Sequence, residues 1–410
     1  MGAEQVLRAW WRTRRAMRLS PPRLEELSER KWRALQPALR TTPALAELAG
    51  KPLAQFPITD TADLRADYGR WNSLGLSHGQ CTALADAAER GEDTGEITAG
   101  WSTGSGGGAR GLFLTTAAER ADYIGQSLAR LLPPSALLRR QRIALHLRSN
   151  NALYTDVRGR RIGFAHFPLE APIAETAAAL AQYDPSILIA PPYRLIALAE
   201  QGVRFPSLTH LFYGSEPTSE AERGFVAERL GLIPQPIWQA TEGFLGAACR
   251  EGRLHLSDHA LVIELEPVAG TQGFRPIVTD LHRRSQPVVR LRGDDFLELD
   301  GLSPCRCGFV GRTIRPIGGR VGNLWRFDSC TFIPRQINEA VEAELGGAIR
   351  WQALADTRSA ELRTAPACPP DLAQRAAAAL ASLVPVPVRS SSDLPEWPGP
   401  KRRKVVWRND

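Results

Sequence analysis

The sequence has little lysine, little methionine and no long apolar segment. Of 410 residues only four are Lys (Lys31, Lys51, Lys401 and Lys404) and two are Met, so a reaction that needs a Lys amine has few candidates. No window approaches the ~18 uninterrupted apolar residues of a transmembrane helix. The N-terminus lacks the apolar region and cleavage site of a secretory signal. These absences predict a cytoplasmic protein that does not bind membranes.

Cysteine is also scarce, with six residues at irregular spacing. Six are too few for a disulfide framework in a chain of this length, which again predicts a reducing compartment. The net charge of +7 is spread along the chain, and no zinc-finger helix, helix-turn-helix or RNA-binding aromatic motif stands out. We therefore expect no nucleic acid among its partners.

The order of apolar segments predicts an α/β fold. Residues 1–95 have mostly helical periodicity, broken by prolines. Residues 111–265 alternate short apolar runs with helical stretches, which is typical of βαβ units around a largely parallel sheet. Between 254 and 300, strand-like segments follow one another closely and predict a smaller, more antiparallel β-subdomain. A final α+β region begins near residue 324.

A run of small residues extends from Ser102 to Gly108 and continues through Arg110 to Gly111. Such a backbone can approach phosphate closely and form an anion-binding nest, and Arg110 could offset phosphate charge. The run is not a Walker loop, because the Gly-Lys-Ser/Thr ending is absent. Nor is it a dinucleotide fingerprint, because it lacks a clear preceding strand and the proper glycine spacing. A surface loop without ligand is the alternative interpretation.

Three further segments follow in order: Tyr-Gly-Ser-Glu-Pro at 213–217, Ile-Trp-Gln-Ala-Thr-Glu-Gly at 237–243, and Arg-Leu-Arg-Gly-Asp-Asp at 290–295, which precedes Gly-Arg at 319–320. With this order and these gaps, the chain from about 95 to 410 resembles the adenylate-forming superfamily, and within it the phenylacetate–CoA ligase-like branch. Each motif is degenerate, but five in sequence order are fairly specific.

The resemblance implies a large N-terminal α/β domain with a β-subdomain and a small mobile C-terminal α+β domain. Residues 1–95 would be the helical part of the large domain, 96–320 the nucleotide- and acyl-binding core, and 321–410 the small domain. It further implies an ATP- and Mg²⁺-dependent ligase that converts a carboxylic acid, aryl or unsaturated by default, into an acyl-adenylate. The acyl group would then pass to a thiol, either CoA or the phosphopantetheine of an acyl carrier protein. A homodimer is one assembly state compatible with this interpretation.

The resemblance also assigns site residues one by one. The loop over the β- and γ-phosphates of ATP corresponds to Ser102, Thr103, Gly104, Ser105, Gly106 and Gly107, and the turn lining adenine to Gly214, Ser215, Glu216 and Pro217. The remaining assignments are Trp238 beside the base, Thr241 at the α-phosphate, Glu242 on Mg²⁺, Asp294 on the ribose hydroxyls, and Arg320 near ribose and phosphate. A hard cation prefers a carboxylate, and vicinal hydroxyls suit a bidentate acceptor.

The family places a catalytic Lys after a Gly near the C-terminus, where it bridges the substrate carboxylate and the α-phosphate. Lys401, two residues after Gly399, fits best, and Lys404 is the second candidate. A basic tail without catalytic meaning is the alternative.

Three positions depart from the family pattern. Arg110 is the nearest cation where relatives usually have a loop Lys, and Gly322 or Asn323 replaces an acid at the hinge. Ser329 replaces a Gly that lines the pantetheine tunnel. Two alternatives therefore stay open: nucleotidyl transfer to a hydroxyl of a coenzyme such as a deazaflavin, and a non-catalytic nucleotide-binding relative.

Cys249 and His255, with Cys305 and Cys307, are the candidate metal ligands. Four such ligands suffice for a closed tetrahedral zinc site with a structural role, and the same pairing resembles a feature of this branch. Ordinary thiols are the alternative. Residues 149–154, which include two Asn, are a candidate for lining the acyl pocket or for capping the next helix. We expect His146 and His166 to be structural.

Overall fold

The computed structural model describes residues 3–92, 94–102, 110–147, 162–214, 216–301, 304–395 and 402–408. Some predicted site residues lie outside the described residues: Thr103, Gly104, Ser105, Gly106, Gly107, Ser215 and Lys401, together with the segment 149–154.

The N-terminal part is mostly helical, as predicted. Its helices are α1 (Ala3–Ala16), α2 (Pro21–Arg40), α3 (Thr61–Ala66) and α4 (His78–Glu89). The central part contains α5 (Ala117–Leu131), α6 (Ile173–Tyr183), α7 (Pro192–Glu200) and α8 (Glu220–Leu230), and the C-terminal part α9 (Pro334–Leu345) and α10 (Pro370–Leu383). Within the described ranges, no helix has both the length and the apolar character needed to cross a membrane.

An eight-stranded sheet forms the centre of the molecule, in the order β14-β10-β9-β8-β7-β6-β4-β5. Its strands are β4 (Gln141–Leu145), β5 (Ile162–His166), β6 (Ile187–Ala190), β7 (His210–Tyr213), β8 (Gln235–Ala240), β9 (Gly243–Ala248), β10 (Leu254–Leu256) and β14 (Thr313–Ile314). Strands β5, β4, β6, β7 and β8 are parallel, and β9, β10 and β14 extend the sheet antiparallel. The predicted parallel sheet is thus confirmed.

Side chains along the central strands point alternately to the two faces of this sheet, and both faces are apolar. On β4 and β6, Ile143 and Ile187 pack on the side of α5, whereas Ala144 and Leu188 pack on the side of α6 and α7. Successive side chains of a strand point to opposite faces, so strands covered on both sides are apolar throughout. Helix α1 packs closely on α5, since a Cβ at Gly125 would lie 2.5 Å from the Ala9 Cβ.

The β-subdomain is a second sheet in the order β1-β13-β12-β11. It contains β1 (Thr59–Asp60), β11 (Leu261–Pro267), β12 (Phe274–Asp280) and β13 (Leu291–Arg292). Its pairs β11–β12 and β12–β13 are antiparallel, as expected. The last strand-like segment expected before residue 300 is reduced to isolated bridges, of Leu297 with Phe274 and of Leu299 with Ile314.

A strand precedes the glycine-rich run, so the expectation that no clear strand lies there was wrong. Strand β2 (Ile97–Trp101) directly precedes it and pairs antiparallel with β3 (Leu112–Thr116), so the run connects a hairpin. Thr98, Ala99 and Gly100 give β2 few bulky apolar side chains, so the sequence pattern did not predict this strand. The run is still unlike a dinucleotide motif, because a strand rather than a helix follows it.

The C-terminal part has its own sheet, β19-β18-β17-β20. Its strands are β17 (Trp351–Ala355), β18 (Ala360–Thr364), β19 (Val388–Ser391) and β20 (Val405–Trp407), and the hairpin β15 (Trp325–Arg326) and β16 (Thr331–Phe332) precedes them. The buried cluster of this region draws only on residues 325–405. A separate core of this kind is what an independently moving domain requires.

Candidate active site

A cavity of about 460 Å³ opens at the carboxyl ends of the parallel strands. Nine predicted site residues line it: Ser102, Gly214, Glu216, Pro217, Trp238, Thr241, Glu242, Asp294 and Arg320. They come from five separate segments of the chain. The loops that follow parallel strands meet at one edge of a sheet, which is where ligands bind in α/β folds. The tertiary structure therefore brings the predicted segments to a single cavity.

Ser102 and Gly111, the first and last residues of the glycine-rich run, close the hairpin between β2 and β3. The Ser102 N–H donates to the Gly111 carbonyl at 2.7 Å, and the Gly111 N–H donates to Ser102 Oγ at 2.9 Å. A Cβ at Gly111 would lie 3.5 Å from Thr241 Oγ1. The base of the run and the threonine of the second motif are therefore neighbours.

Arg110 is directed away from this cavity. Its guanidinium pairs with Glu89 on α4 at 2.8 Å, and its Nε donates to the Ser102 carbonyl at 2.8 Å. The suggestion that Arg110 offsets phosphate charge receives no support from this geometry. Arg65 of α3 does line the cavity, and its Nη1 donates to Thr61 Oγ1 at 3.1 Å, with no carboxylate at ion-pair distance among the described residues. The sequence analysis missed Arg65, because α3 lies outside all the recognised motifs.

Glu242 is 7% exposed, and Thr241 Oγ1 donates to its Oε2 at 3.2 Å. No described Lys or Arg nitrogen lies within ion-pair distance of it. Burial raises the pKa of Glu242, and the nearby Asp295 carboxylate raises it further. A buried carboxylate of this kind favours a proton or a cation beside it.

Trp238 is 5% exposed, and its Nε1–H donates to Asp295 Oδ2 at 2.7 Å. Arg320 Nε lies 3.9 Å from the other oxygen of Asp295. The adjacent Asp294 has a side chain 49% exposed and pairs with Arg275 at 2.9 Å. Both aspartates line the cavity, but Asp295 connects the tryptophan and the arginine. The sequence analysis chose Asp294, and only the pair of consecutive acids hinted at its neighbour.

Glu216, in the predicted adenine turn, contacts the C-terminal segment. The Arg402 N–H donates to its Oε1 at 2.5 Å, and Arg402 Nε lies 3.5 Å from Oε2. Arg402 directly follows Lys401 in the sequence. The contact therefore anchors the C-terminal segment at the turn that lines the cavity.

Lys404, the second candidate for the catalytic lysine, forms ion pairs outside the cavity. Lys404 Nζ lies 2.6 Å from an oxygen of Glu222 on α8 and 2.6 Å from an oxygen of Glu342 on α9, and both carboxylates are buried. Lys404 is not among the residues that line the cavity. Its ammonium joins the large and small parts of the molecule, which leaves Lys401 as the catalytic candidate.

The four predicted metal ligands come together at the antiparallel edge of the eight-stranded sheet, where β9, β10 and β14 lie. One ligand atom from each of Cys249, His255, Cys305 and Cys307 lies within 4.8 Å of the others. The Cys249 and Cys305 sulfurs are 3.7 Å apart, and Cys307 Sγ is 3.4 Å from His255 Nε2. Two sulfurs on a tetrahedral zinc with bonds of about 2.3 Å stand about 3.8 Å apart. The donor set and its spacing thus fit a zinc ion.

The groups around this Cys/His cluster favour the binding of a cation. His255 Nδ1–H donates to the Gly311 carbonyl at 2.8 Å, which turns the Nε2 lone pair toward the thiols. Burial lowers the pKa of His255 to about 4, so its ring is neutral at physiological pH. Arg130 of α5 donates to the His255 and Ala247 carbonyls. A zinc bound by three thiolates has net charge −1, which a neighbouring guanidinium offsets.

The two histidines expected to be structural have protein partners. His146 is buried between the Phe167 carbonyl at 2.8 Å and Arg194 Nε at 2.6 Å, and His166 Nε2 lies 2.8 Å from the Leu147 carbonyl. Burial lowers the pKa of His146 to about 4. Neither ring lines the cavity.

No protein-family model matches the sequence, and no curated protein is similar to it in sequence. Solved structures do match. The fold is similar to 2-hydroxyisobutyryl-CoA ligase in the postadenylation state in complex with 2-HIB-AMP, with 17% identity, a TM-score of 0.71, and coverage of 95% of this chain and 90% of that one. It is also similar to O-succinylbenzoate coenzyme A synthetase from Bacillus subtilis in complex with AMP, with 13% identity, a TM-score of 0.51, and coverage of 75% and 69%.

These likenesses establish the fold of the adenylate-forming enzymes for this chain and confirm the predicted fold class. The same 2-hydroxyisobutyryl-CoA ligase in its thioesterification state matches with a TM-score of 0.56. The arrangement of the two parts of this chain is thus more similar to the postadenylation state. The phenylacetate–CoA ligase-like branch stays a prediction.

Proposed function

We propose that this protein activates a carboxylic acid with ATP and Mg²⁺ as an acyl-adenylate and then transfers the acyl group to a thiol. The observation that carries the proposal is the convergence of Ser102, Trp238, Glu242, Asp295 and Arg320 on one cavity. Proteins of the same fold hold acyl-adenylates or AMP. Nucleotide, metal and acid residues in one cavity are what such a reaction requires.

The chain's own residues supply the adenylation step as follows. A carboxylate oxygen of the acid attacks the α-phosphorus, and the bond to pyrophosphate breaks. Thr241 donates a hydrogen bond to the α-phosphate, and Arg65, a cation on the cavity wall, offsets charge on the leaving phosphates. Fixed donors of this kind stabilise the charge that develops on the phosphate oxygens.

Glu242 would hold Mg²⁺. Its buried carboxylate lacks a described cation at ion-pair distance, and burial raises its pKa, as expected for a group that awaits a cation. Mg²⁺ binds through one or two carboxylates together with substrate phosphates. When bound, the ion would neutralise charge on the α-phosphate and on the leaving pyrophosphate.

The nucleoside part of ATP would lie along Gly214–Pro217 and Trp238. Asp294 was the predicted acceptor for the ribose hydroxyls, and Asp295 is a second candidate because Trp238 and Arg320 orient its carboxylate. Lys401 would bridge the substrate carboxylate and the α-phosphate, and the Arg402–Glu216 contact supports its delivery to this cavity.

The thiol is CoA or the phosphopantetheine of an acyl carrier protein. A solved structure of 2-hydroxyisobutyryl-CoA ligase contains CoA, which favours CoA here. Ser329, in the place of a tunnel-lining Gly, favours a different acceptor. Transfer requires the small domain, residues 321–410, to rotate about the hinge at Gly322 or Asn323. A cytoplasmic location and a homodimer remain part of the proposal.

We further propose that Cys249, His255, Cys305 and Cys307 hold a structural zinc ion. All four positions of a tetrahedral ion would be occupied, so none is open for water and catalysis there is not expected. The ligands stand at both ends of the 249–307 segment, and the ion would fasten that segment beside β10.

The deciding experiment measures pyrophosphate release from ATP with the purified protein and a panel of carboxylic acids. Release that depends on an acid and on Mg²⁺ supports the proposal. Adenylyl transfer to a coenzyme hydroxyl predicts release that depends on the coenzyme instead. A non-catalytic relative predicts ATP binding without release. Loss of release in Lys401→Ala supports the catalytic role of Lys401.

A further inference from the structure

The cavity extends from the nucleotide-binding residues into a channel between helix α5 and the sheet. One wall of this channel comes from the helix and the other from alternate residues of the parallel strands. The wall includes Ile124, Leu128, Leu131, Leu145, Ile189 and Phe212. These side chains belong to the buried cluster that joins α5 to the sheet. The channel therefore passes through an apolar layer of the large domain.

The charged residues of the cavity lie elsewhere. Glu216 and Glu242 follow strands β7 and β8 at the carboxyl edge of the sheet, Asp295 and Arg320 belong to the β-subdomain side, and Arg65 to α3. Among the described residues of the channel, none is charged. A charged group that left water for this channel would meet no partner among its described residues, which is strongly unfavourable.

The polar groups that α5 presents to the channel are hydroxyls, of Tyr123 and Ser127. Ser127 Oγ is shielded from solvent and has no hydrogen-bond partner among the described residues. Between Ile124, Leu128 and Leu131 on this helix face, the small serine leaves space without providing a charge. A larger side chain at position 127 would therefore occupy part of this space.

From this geometry, and resting on the proposed function, we infer the class of acid. The substrate has an uncharged, predominantly hydrocarbon body that enters between α5 and the sheet, with its carboxylate directed toward Thr241. Small hydroxy acids and dicarboxylic acids are poor substrates. Each methylene that the channel accepts should raise kcat/KM about threefold to fourfold, the factor expected for burial of one CH₂ group.

The test compares straight-chain acids from acetate to decanoate, and phenylacetate, with 2-hydroxyisobutyrate and succinate, by pyrophosphate release. We expect kcat/KM to rise with chain length until the channel is full, and the two polar acids to remain about tenfold or more below apolar acids of similar size. A polar acid as the best substrate overturns the inference and leaves the proposed function intact. No release with any acid contradicts the proposed function itself.

Ser127→Phe should shorten the longest acid accepted while propionate is still activated. Ser382→Phe, the same change on the exposed face of α10, is the matched control and should leave the chain-length profile unchanged. Thermal unfolding of both variants checks that they fold, and Ser127→Leu replaces the first variant if it does not. An unchanged profile in a folded position-127 variant overturns the inference.

Discussion

The ammonium of Lys404 and the carboxylate of Glu222 lie 2.6 Å apart, although 182 residues separate them in the chain. Glu222 belongs to the large part of the molecule, and Lys404 stands just before β20 of the C-terminal sheet. Glu342 of α9 accepts from the same ammonium. This buried ion pair joins the two parts in the arrangement that is similar to the postadenylation state.

Lys404→Met should destabilise the protein, because two buried carboxylates would lose their cation. Removing one partner of a buried ion pair costs about 3–5 kcal/mol, and we expect the lower end because Arg402 still faces Glu222. Denaturant unfolding measures the loss. Arg375→Met, which breaks an exposed pair with Glu344, is the control and should cost at most about 1 kcal/mol. Equal losses in the two variants would contradict the role given to Lys404.

The contribution of Glu222 should depend on pH. Burial alone would raise the pKa of Glu222, but Lys404 and Arg402 outweigh it, so the pKa lies below the ordinary value of 4.5. A carboxyl group with a lowered pKa stabilises the fold above its ordinary pKa, and this stability is lost as the pH falls through the lowered value. The stability difference between wild type and Glu222→Gln should be constant from about pH 7 to 5 and shrink in more acidic buffers. A stability difference that grows as the pH falls would show that the pKa of Glu222 is raised rather than lowered.

Glu242→Gln should slow adenylation strongly and yet stabilise the metal-free protein. Burial raises the pKa of Glu242, so its ionised form opposes folding above the ordinary pKa and this cost disappears as the pH falls. We expect a higher unfolding temperature at pH 7 without Mg²⁺, and pyrophosphate release lower by about 10²–10³-fold. Glu25→Gln on the exposed side of α2 is the control. Retained release would exclude Glu242 from the metal site.

Arg65→Gln should slow pyrophosphate release and raise the KM for ATP, since Arg65 is a cation on the cavity wall without a described carboxylate partner. Arg70→Gln, at an exposed position of the same segment, should have little effect. Steady-state kinetics at varied ATP concentration distinguishes the two variants. A normal KM for ATP and a normal rate of pyrophosphate release in Arg65→Gln would contradict the proposed role of Arg65 at the phosphates.

Metal analysis of the purified protein should find about one zinc per chain, because the four ligands complete one tetrahedral site. Cys307→Ser should release the ion and lower the unfolding temperature. Cys330→Ser changes a cysteine outside the cluster and should retain the metal. Protein that is free of metal and equally stable would refute the structural zinc.

Much of the fold could be predicted because the signals are local. The alternation of short apolar runs with helical stretches over 111–265 predicted parallel strands, and β4, β6 and β7 lie there. The strand before the glycine-rich run escaped prediction, since small residues at 98–100 give no apolar signal and only pairing with β3 makes them a strand. Regular structure without bulky side chains depends on its partner more than on its own sequence.

The sequence by itself determined the order of the motifs, the rarity of lysine, and the four candidate metal ligands, because each of these is a matter of residue type and spacing. Only the tertiary structure decided which neighbours these residues have. It joined Asp295 to Trp238 across 57 residues, turned Arg110 toward Glu89, engaged Lys404 with two buried glutamates, and brought Arg65 to the cavity. Contacts between side chains distant in sequence follow from the packing of whole elements, which no local pattern encodes.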